Sequence, residues 1–394
     1  MPKLADRLVT LPEYVLARVP QRKRELLAQG VDVIDLGPGD ADLMPPPAAL
    51  ARLAEAAAIP SMNRYAFGVG LMDFREAVTT WMAKRFGLQF DPLTEIVPLI
   101  GSKEGISHLA MAYVDPGQTT IVPEPGYNSY AGGTRLAGGV PYRYALTPRT
   151  NFLVDLDDVP ADVLRRARIV YLNYPNNPTG AIAPRDYLER TVRRCRELDL
   201  LLVYDNAYSE LAFDGYVPPS IFEIDGARDV AIEFHSMSKT YNMTGWRCGW
   251  AVAKPEIAAV LAKVKTFVDT GGFMAVQAAA VAAIESYDDF VPRNVAVFKE
   301  RRDAAVRAFR DAGFTCETPR ATMYLWIPLP DGLPSAQFAE RLMEDEGVIV
   351  LPGSGFGEGG EGFFRISFIT SPERLAEAAR RAGRVLQSLT AGVA

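Results

Sequence analysis

The segment IEFHSMSKTYNMTGWRCGWAVA, residues 232–253, contains two apolar runs separated by a stretch rich in hydroxyl and basic side chains. The runs, at 230–234 and 250–253, are short and apolar, as is typical of strands buried on both faces of a sheet. Between them lie Ser236, Ser238, Lys239 and Arg247. An amine beside a guanidinium in a closed site has its ammonium form disfavoured, so this cluster favours anion binding and nucleophilic chemistry over packing.

Further apolar runs, at 96–100, 119–122, 169–172 and 200–204, alternate with helical patterns. This alternation predicts a mostly parallel sheet with helices on both faces and ligands bound at the carboxyl ends of its strands. One helix is predicted over 73–86, with Asp73 and Glu76 as its capping box. Other helices are predicted from 255 to a break at 271–272, over 292–312 and over 372–389. Strands predicted at 322–327, 348–350 and 363–368 indicate a second, smaller α/β domain.

The composition excludes several classes of function. The chain has 394 residues and a formal net charge of -6, which with no basic run argues against binding nucleic acid or an anionic membrane. We expect no secretory signal, because residues 1–10 contain Lys3, Asp6 and Arg7 and no apolar h-region. We expect no membrane span, because no apolar run approaches about 18 residues. Cys195, Cys248 and Cys316 are far apart, which predicts free thiols in a cytoplasmic protein and no metal site. Because only two histidines are present, the chemistry is expected from Lys, Asp, Tyr and Arg.

Three further polar motifs also follow predicted strands. GSKEG at 101–105 is a turn into a helix, where backbone N–H groups and a hydroxyl suit a phosphate. NYPNNPTG at 173–180 contains two prolines that forbid regular structure and hold the asparagines in a fixed loop. Asp205 and Tyr208 follow the strand at 200–204 and place a carboxylate and a phenol at the same edge of the sheet. Each motif alone is also compatible with an ordinary turn or helix cap.

Together these motifs resemble the site of a pyridoxal phosphate enzyme. NPTG at 177–180, DxxY at 205–208, SxSK at 236–239 and GxRxG at 245–249 occur in the order found in fold-type I aminotransferases of classes I and II. The resemblance runs from about residue 14 to 386 and is strongest to LL-diaminopimelate aminotransferases and their alanine and aspartate aminotransferase relatives. It implies an α/β fold with a mostly parallel seven-stranded sheet in a large domain, 46–280. A small domain would combine 281–394 with the N-terminal arm, 1–45.

The resemblance also implies a role for individual residues. Lys239 would form the Schiff base with pyridoxal 5'-phosphate and move the substrate proton, and Asp205 would pair with the pyridinium N–H. The ring oxygen would be held by Tyr208 and Asn177, and the ring face by Tyr127. The phosphate ligands would be Ser102, Lys103, Ser236, Ser238 and Arg247, joined by Tyr65 of the partner subunit. The substrate would meet Arg365, which grips the α-carboxylate, together with Asn177, Gly39 and Tyr14.

The implied activity is that of an amino acid:2-oxo acid aminotransferase with a ping-pong mechanism, working as a homodimer with a composite active site. The main expectation is LL-diaminopimelate as amino donor and 2-oxoglutarate as acceptor, a step of lysine biosynthesis. An alanine, aspartate, aromatic or methionine aminotransferase, or a C–S β-lyase on the same fold, stays open because the cofactor contacts would be identical. The turn TFVDTGG at 266–272 departs from the diaminopimelate pattern, which often has Asn or Ser there. The distal pocket is therefore not assigned.

Overall fold

A computed structural model of the protein describes residues 2–9, 11, 19–67 and 70–391. Within these ranges the chain forms the strands β1 (Ile34–Asp35), β2 (Ile96–Leu99), β3 (Thr119–Glu124), β4 (Val140–Ala145), β5 (Ala167–Leu172), β6 (Leu201–Asp205), β7 (Ala231–Ser236), β8 (Gly249–Ala253), β9 (Tyr324–Pro328), β10 (Val348–Ile349), β11 (Leu351–Pro352) and β12 (Phe363–Ser367).

The helices of the same ranges are α1 (Asp6–Val9), α2 (Val19–Ala28), α3 (Pro47–Ala57), α4 (Met72–Phe86), α5 (Ser102–Tyr113), α6 (Asn128–Leu136), α7 (Ala161–Arg166), α8 (Arg185–Glu197), α9 (Ala227–Val230), α10 (Met237–Thr240), α11 (Pro255–Val268), α12 (Met274–Glu285), α13 (Tyr287–Asp311), α14 (Ser335–Glu346) and α15 (Pro372–Thr390). A helix that crosses a membrane needs about 20 largely apolar residues. None of these described helices meets that requirement.

The larger sheet has seven strands in the order β2-β8-β7-β6-β5-β3-β4. Only β8 runs antiparallel to its neighbours, β2 and β7, and the other adjacent pairs are parallel. The predicted mostly parallel sheet is therefore confirmed. Because β5, β6 and β7 are adjacent and parallel, the segments that follow their carboxyl ends meet at one edge of the sheet.

Helices cover both faces of this sheet. Alternate residues of β6 are buried on opposite faces of the sheet, with Leu202 and Tyr204 on one face and Leu201 and Val203 on the other. The first face packs against α4 and α8 and the second against α5 and α11. Burial on both faces explains why the strands read as continuous apolar runs instead of alternating with polar residues.

A second hydrophobic core is built from the C-terminal part of the chain. Strand β12 pairs antiparallel with β9 and β11, and α13, α14 and α15 pack around them. Strand β1 pairs in parallel with β10, which attaches residues 34–35 to this core. Helix α13 contacts both cores, with Val291 in the core around the larger sheet and Phe298 in the second core. The domain boundaries at 45/46 and 280/281 stay a prediction.

Three local expectations need correction. The predicted capping box of α4 is wrong, because the helix begins one residue early and Leu71 is its N-cap, with its N–H bound to Gln277 Oε1 at 2.8 Å. The helix predicted from 292 begins at Tyr287, so that Pro292 lies inside it. Strand β4 was not predicted, because it is a half-exposed edge strand containing a proline and lacks an apolar run.

A buried carboxylate ties the site-bearing edge of the sheet together. Glu233, on β7, is fully buried and its oxygens accept hydrogen bonds from Ser220 Oγ at 2.6 Å, Ile221 N at 2.8 Å and Asn206 Nδ2 at 3.0 Å. His235 Nε2 lies 2.7 Å from the same carboxylate. Asn206 directly follows Asp205, so this network holds the end of β6 against β7.

We expect Glu233→Ala to destabilise the protein by about 3 kcal/mol or more, because it leaves several buried donors without an acceptor. The measurement is urea unfolding followed by tryptophan fluorescence. Glu233→Gln, which keeps one acceptor oxygen, should lose less. An unfolding midpoint in Glu233→Ala equal to that of the wild type contradicts this account of the network.

Candidate active site

A cavity of about 460 Å³ lies at the carboxyl ends of β5, β6 and β7 and is closed on the other side by the second core. Twelve of the fourteen predicted site residues line it: Gly39, Ser102, Lys103, Tyr127, Asn177, Asp205, Tyr208, Ser236, Ser238, Lys239, Arg247 and Arg365. Tyr65 does not line it and is 74% exposed. Tyr14 lies outside the described residues. The sequence motifs thus converge on one cavity, while the role of each residue stays a prediction.

One end of the cavity is the turn that begins α5. Gly101 precedes the helix with φ +77°, and a Cβ on it would overlap the Arg247 guanidinium. Arg247 itself has φ +56° and donates to Thr244 O at 2.9 Å. The glycine therefore lets a cation approach the N-terminus of a helix, where backbone N–H groups already favour an anion.

This turn is supported from behind by a buried ion cluster. Glu104 accepts a hydrogen bond from Ile100 N at 3.1 Å and also binds the ammonium of Lys265. Lys265, whose side chain is fully buried, also lies 2.9 Å from Asp269, and Asp269 accepts from Gly271 N at 2.7 Å. The cluster fixes the turn against the loop between α11 and α12.

The lysine of the SxSK motif lies on α10, at the end of β7. Ser236 caps this short helix by accepting from Ser238 N at 3.2 Å. Lys239 is half-buried and donates to Gly39 O. The amine is therefore held inside the cavity by the backbone of the segment that follows β1.

Asp205, the last residue of β6, is buried with an unusual environment for a carboxylate. Its Oδ2 accepts a hydrogen bond from Tyr130 Oη at 2.8 Å, whereas its buried Oδ1 has no hydrogen-bond partner among the described residues. Burial raises the pKa of this carboxyl to about 6, against the lowering effects of the Tyr130 hydrogen bond and of His235. Such an orphaned oxygen in a cavity fits a cationic N–H donor.

The asparagine-rich loop after β5 is held by its own side chains. Asn173 Nδ2 donates to Asp205 O at 2.7 Å, and its Oδ1 accepts from Asn177 N at 2.8 Å. Asn176 Oδ1 accepts from Thr179 N at 3.0 Å. These bonds leave the Asn177 side chain in the cavity, where its Oδ1 accepts from Arg365 Nη1 at 2.7 Å.

Arg365 enters the cavity from β12, in the second core, and is 4% exposed. A second hydrogen bond joins its Nη2 to Gly37 O. Its guanidinium carbon lies 4.1 Å from the ring centroid of Tyr324 and 4.9 Å from that of Phe356. A guanidinium held in this way presents a planar donor fork suited to a carboxylate.

Sequence reasoning missed several residues of the site. Asn173 begins the quoted loop motif but was given no role, although it lines the cavity. Tyr130, Tyr324 and Phe356 belong to no local motif, because they come from α6, from β9 and from the loop after β11. Tyr130 lies three residues after the predicted ring-stacking Tyr127, and this helical spacing is the one signal that relates it to the site.

The donor set fits pyridoxal 5'-phosphate. Hydroxyl, backbone N–H and guanidinium groups at the start of α5 suit the phosphate, and the orphaned Oδ1 of Asp205 suits a pyridinium N–H. Lys239 supplies an amine for the aldehyde. The fold and this set of groups define a pyridoxal phosphate-dependent enzyme of fold type I.

Comparison with known proteins identifies the family. The sequence matches the family described as aminotransferase class I and II over residues 31–381. An LL-diaminopimelate aminotransferase of Desulforudis audaxviator is 48% identical over 377 residues, 96% of each chain. Substrate-bound BacF from Bacillus subtilis has a TM-score of 0.93 at 32% identity, over 98% of each chain. A probable N-succinyldiaminopimelate aminotransferase from Thermus thermophilus has a TM-score of 0.88 at 38% identity, over 93% of this chain and 98% of that one. The chain belongs to the class I and II aminotransferases and is a pyridoxal phosphate-dependent aminotransferase.

The raised pKa of Asp205 predicts a pH dependence of cofactor binding. Below about pH 6 the carboxyl is neutral and cannot pair with the pyridinium N–H, so affinity should fall as pH falls. Pyridoxine 5'-phosphate, which has no aldehyde, is a suitable probe. Because its phosphate also titrates near pH 6, the quantity to measure is the affinity ratio of wild type to Asp205→Asn. This ratio should rise about tenfold from pH 5 to pH 7, and a constant ratio contradicts the assignment.

Proposed function

We propose that this aminotransferase transfers the amino group of LL-diaminopimelate to 2-oxoglutarate, a step of lysine biosynthesis. The observation that carries the proposal is the near full-length similarity, at 48% identity, to a relative of that name. The Thermus thermophilus relative, at 38% identity, is named for a succinylated form of the same amino acid. Both names point to an amino acid with a second, distal carboxylate.

Pyridoxal phosphate, when bound, supplies an aldehyde that carries the amino group and a protonated ring that accepts electrons. Asp205 keeps the ring nitrogen protonated, because its buried carboxylate has one oxygen without another partner among the described residues. Lys239 would hold the cofactor through its aldehyde and would move a proton between the substrate α-carbon and C4' of the cofactor. Tyr208 and Asn177 donate hydrogen bonds to the ring oxygen.

Arg365 orients the substrate for this proton transfer. The guanidinium is fixed by Asn177 and by Gly37 O before substrate arrives, so little side-chain entropy remains to be lost when it binds the α-carboxylate. The substrate carboxylate would take the place of one of these acceptors.

The loop between β11 and β12 lines the cavity and is hydrogen-bonded to the segment on its opposite side. Phe356 O accepts from Gly126 N at 3.2 Å, and Asn128 Nδ2 donates to Gly355 O at 3.2 Å. These bonds join the second core to the segment that carries Tyr127. We propose that the two cores act as the large and small domains and that this contact holds them closed over bound substrate, shielding it from water.

We also propose that the enzyme is a cytoplasmic homodimer in which Tyr65 reaches the phosphate of the other subunit. Tyr65 and Phe67 are 74% and 73% exposed, and their ring centroids lie 5.8 Å apart. Phe267 is 85% exposed and Phe273 is 48% exposed, on either side of the 269–272 turn. Exposed aromatic side chains of this size are typical of an interface. The three cysteines are free and buried, which suits a reducing compartment.

Substrate preference tests the proposed donor. With 2-oxoglutarate as acceptor and glutamate formation as the readout, kcat/KM for LL-diaminopimelate should exceed that for lysine, alanine, aspartate, methionine and phenylalanine by at least about 100-fold. Lysine is the matched control, since it lacks only the distal carboxylate. N-succinyl-LL-diaminopimelate should react more slowly, because the free distal ammonium is lost.

Other outcomes of this panel have distinct meanings. A preference for alanine, aspartate or phenylalanine refutes the proposed donor and retains the aminotransferase. A preference for the succinylated compound assigns the enzyme to that substrate instead. Pyruvate released from cystathionine without an acceptor would establish a C–S β-lyase.

Complementation tests the composite site. Lys239→Ala should be inactive, and Tyr65→Ala should lose at least about tenfold in activity through weaker phosphate binding. When the two variants are co-expressed, half of the dimers contain one site with both residues intact, so about one quarter of wild-type activity should return. Co-expression of Lys239→Ala with the Lys239→Ala/Tyr65→Ala chain is the matched control and should return none. If Tyr65 acts within its own subunit, neither mixture gains activity.

A further inference from the structure

Tyr324, on β9, is a buried tyrosine that connects two parts of the active site. It is 2% exposed and lines the cavity from the side of the second core. Its hydroxyl lies 2.9 Å from that of Tyr208, and its ring lies under the guanidinium of Arg365. Under the proposed function, on which this inference rests, Tyr208 donates a hydrogen bond to the cofactor and Arg365 binds the substrate carboxylate.

The hydrogen bond between the Tyr208 and Tyr324 hydroxyls has a defined donor and acceptor once Tyr208 binds the ring oxygen of the cofactor. A phenol has one O–H to donate, so if Tyr208 donates to the ring oxygen, its own oxygen accepts from Tyr324. Burial, followed by the neighbouring Tyr324, raises the pKa of Tyr208 well above its ordinary value, so Tyr208 is a neutral donor. Donation from Tyr324 fixes the Tyr208 hydroxyl and strengthens the hydrogen bond that it gives.

The ring of Tyr324 has a separate contact with Arg365. At 4.1 Å from the guanidinium carbon to the ring centroid, the aromatic face supports the planar fork, while Asn177 and Gly37 O bind its nitrogens. Both predicted ligands of the ring oxygen are thereby linked to the arginine. Tyr208 is linked through Tyr324, and Asn177 is linked directly.

The Tyr324 hydroxyl also lies close to the backbone of the N-terminal segment. A Cβ on Gly39 would overlap that hydroxyl, and the carbonyl of Gly39 accepts from Lys239. A glycine at position 39 therefore lets the backbone that holds the lysine approach the tyrosine. Three parts of the site, which carry Tyr208, Arg365 and Gly39, therefore meet at this one side chain.

We propose that Tyr324 is a positioning residue with two separable parts: its hydroxyl orients Tyr208 toward the cofactor ring oxygen, and its ring orients Arg365 toward the substrate carboxylate. Tyr324→Phe removes the first part and retains the second. Tyr324→Leu removes both. The two substitutions therefore distinguish this role from a merely structural one.

The test uses the cofactor-loaded enzyme and does not depend on turnover. A hydrogen bond to the ring oxygen favours loss of the proton that the oxygen shares with the lysine nitrogen, so weakening it raises the pH midpoint of the cofactor's visible absorbance. Tyr324→Phe should raise this midpoint by about half to one pH unit. Its affinity for glutarate, an unreactive carboxylate probe that perturbs the same absorbance, should stay within about twofold.

Tyr324→Leu should show the same rise in midpoint together with about tenfold weaker glutarate binding. Tyr187→Phe, which removes a buried phenol hydroxyl from α8 outside the cavity, is the matched control and should change neither quantity. In a Tyr208→Phe background, Tyr324→Phe should add almost nothing to the midpoint, because the two hydroxyls act through one hydrogen bond to the cofactor.

Three results overturn the proposal. An unchanged midpoint in Tyr324→Phe removes the role of the hydroxyl, and unchanged glutarate affinity in Tyr324→Leu removes that of the ring. Additive shifts in the double variant show that Tyr324 acts independently of Tyr208. Failure of the proposed donor is distinguishable, because it would appear in the substrate panel and would leave the midpoint and the glutarate affinity of these variants as expected here.

Discussion

The site depends on the burial of one carboxylate at the end of a central strand. Asp205 is 5% exposed, and removing a carboxylate from water is costly unless its oxygens are bound. The protein satisfies one oxygen with Tyr130 and leaves the other without a described partner. Burial therefore raises the pKa of the carboxyl to about 6, and a cationic ring N–H would relieve the cost. This is the physical reason to assign the carboxylate to the cofactor.

The rest of the fold positions this carboxylate and closes the space around it. Parallel β5, β6 and β7 bring the asparagine loop, Asp205 and Lys239 to one edge, and Glu233 fixes the residue after Asp205. Arg365, proposed to bind the substrate, and Tyr324, proposed to position it, come from elsewhere, since both lie on strands of the second core. Cofactor binding and substrate binding are thus assigned to different packed units that meet at the cavity.

The features that could be predicted from the sequence are those determined by residues close together along the chain. Strand-forming runs followed by polar residues located the large sheet and its polar edge, and the family resemblance added residues such as Gly39, Tyr127 and Arg365 to the twelve that line the cavity. The capping box of α4 failed because a side chain distant in sequence, Gln277, binds the N-cap instead. Tyr130 and Tyr324 were missed for the same reason, since each acts through a partner on another element. No spacing along the chain encodes such tertiary contacts.

The difference between local motifs and tertiary contacts also explains why the sequence predicts the reaction class more securely than the substrate. The residues predicted to hold the cofactor lie at strand ends and helix starts, where backbone geometry restricts the residue types that fit, as at Gly101 beside Arg247. The distal end of a substrate would meet side chains such as those of the 266–272 segment, and an exposed side chain is not restricted in this way. Phe267, in this segment, is 85% exposed, so a single chain leaves it without a role in the cavity. In the proposed homodimer a second subunit would cover it, so that substrate selection would depend on the assembled dimer as well as on the individual motif.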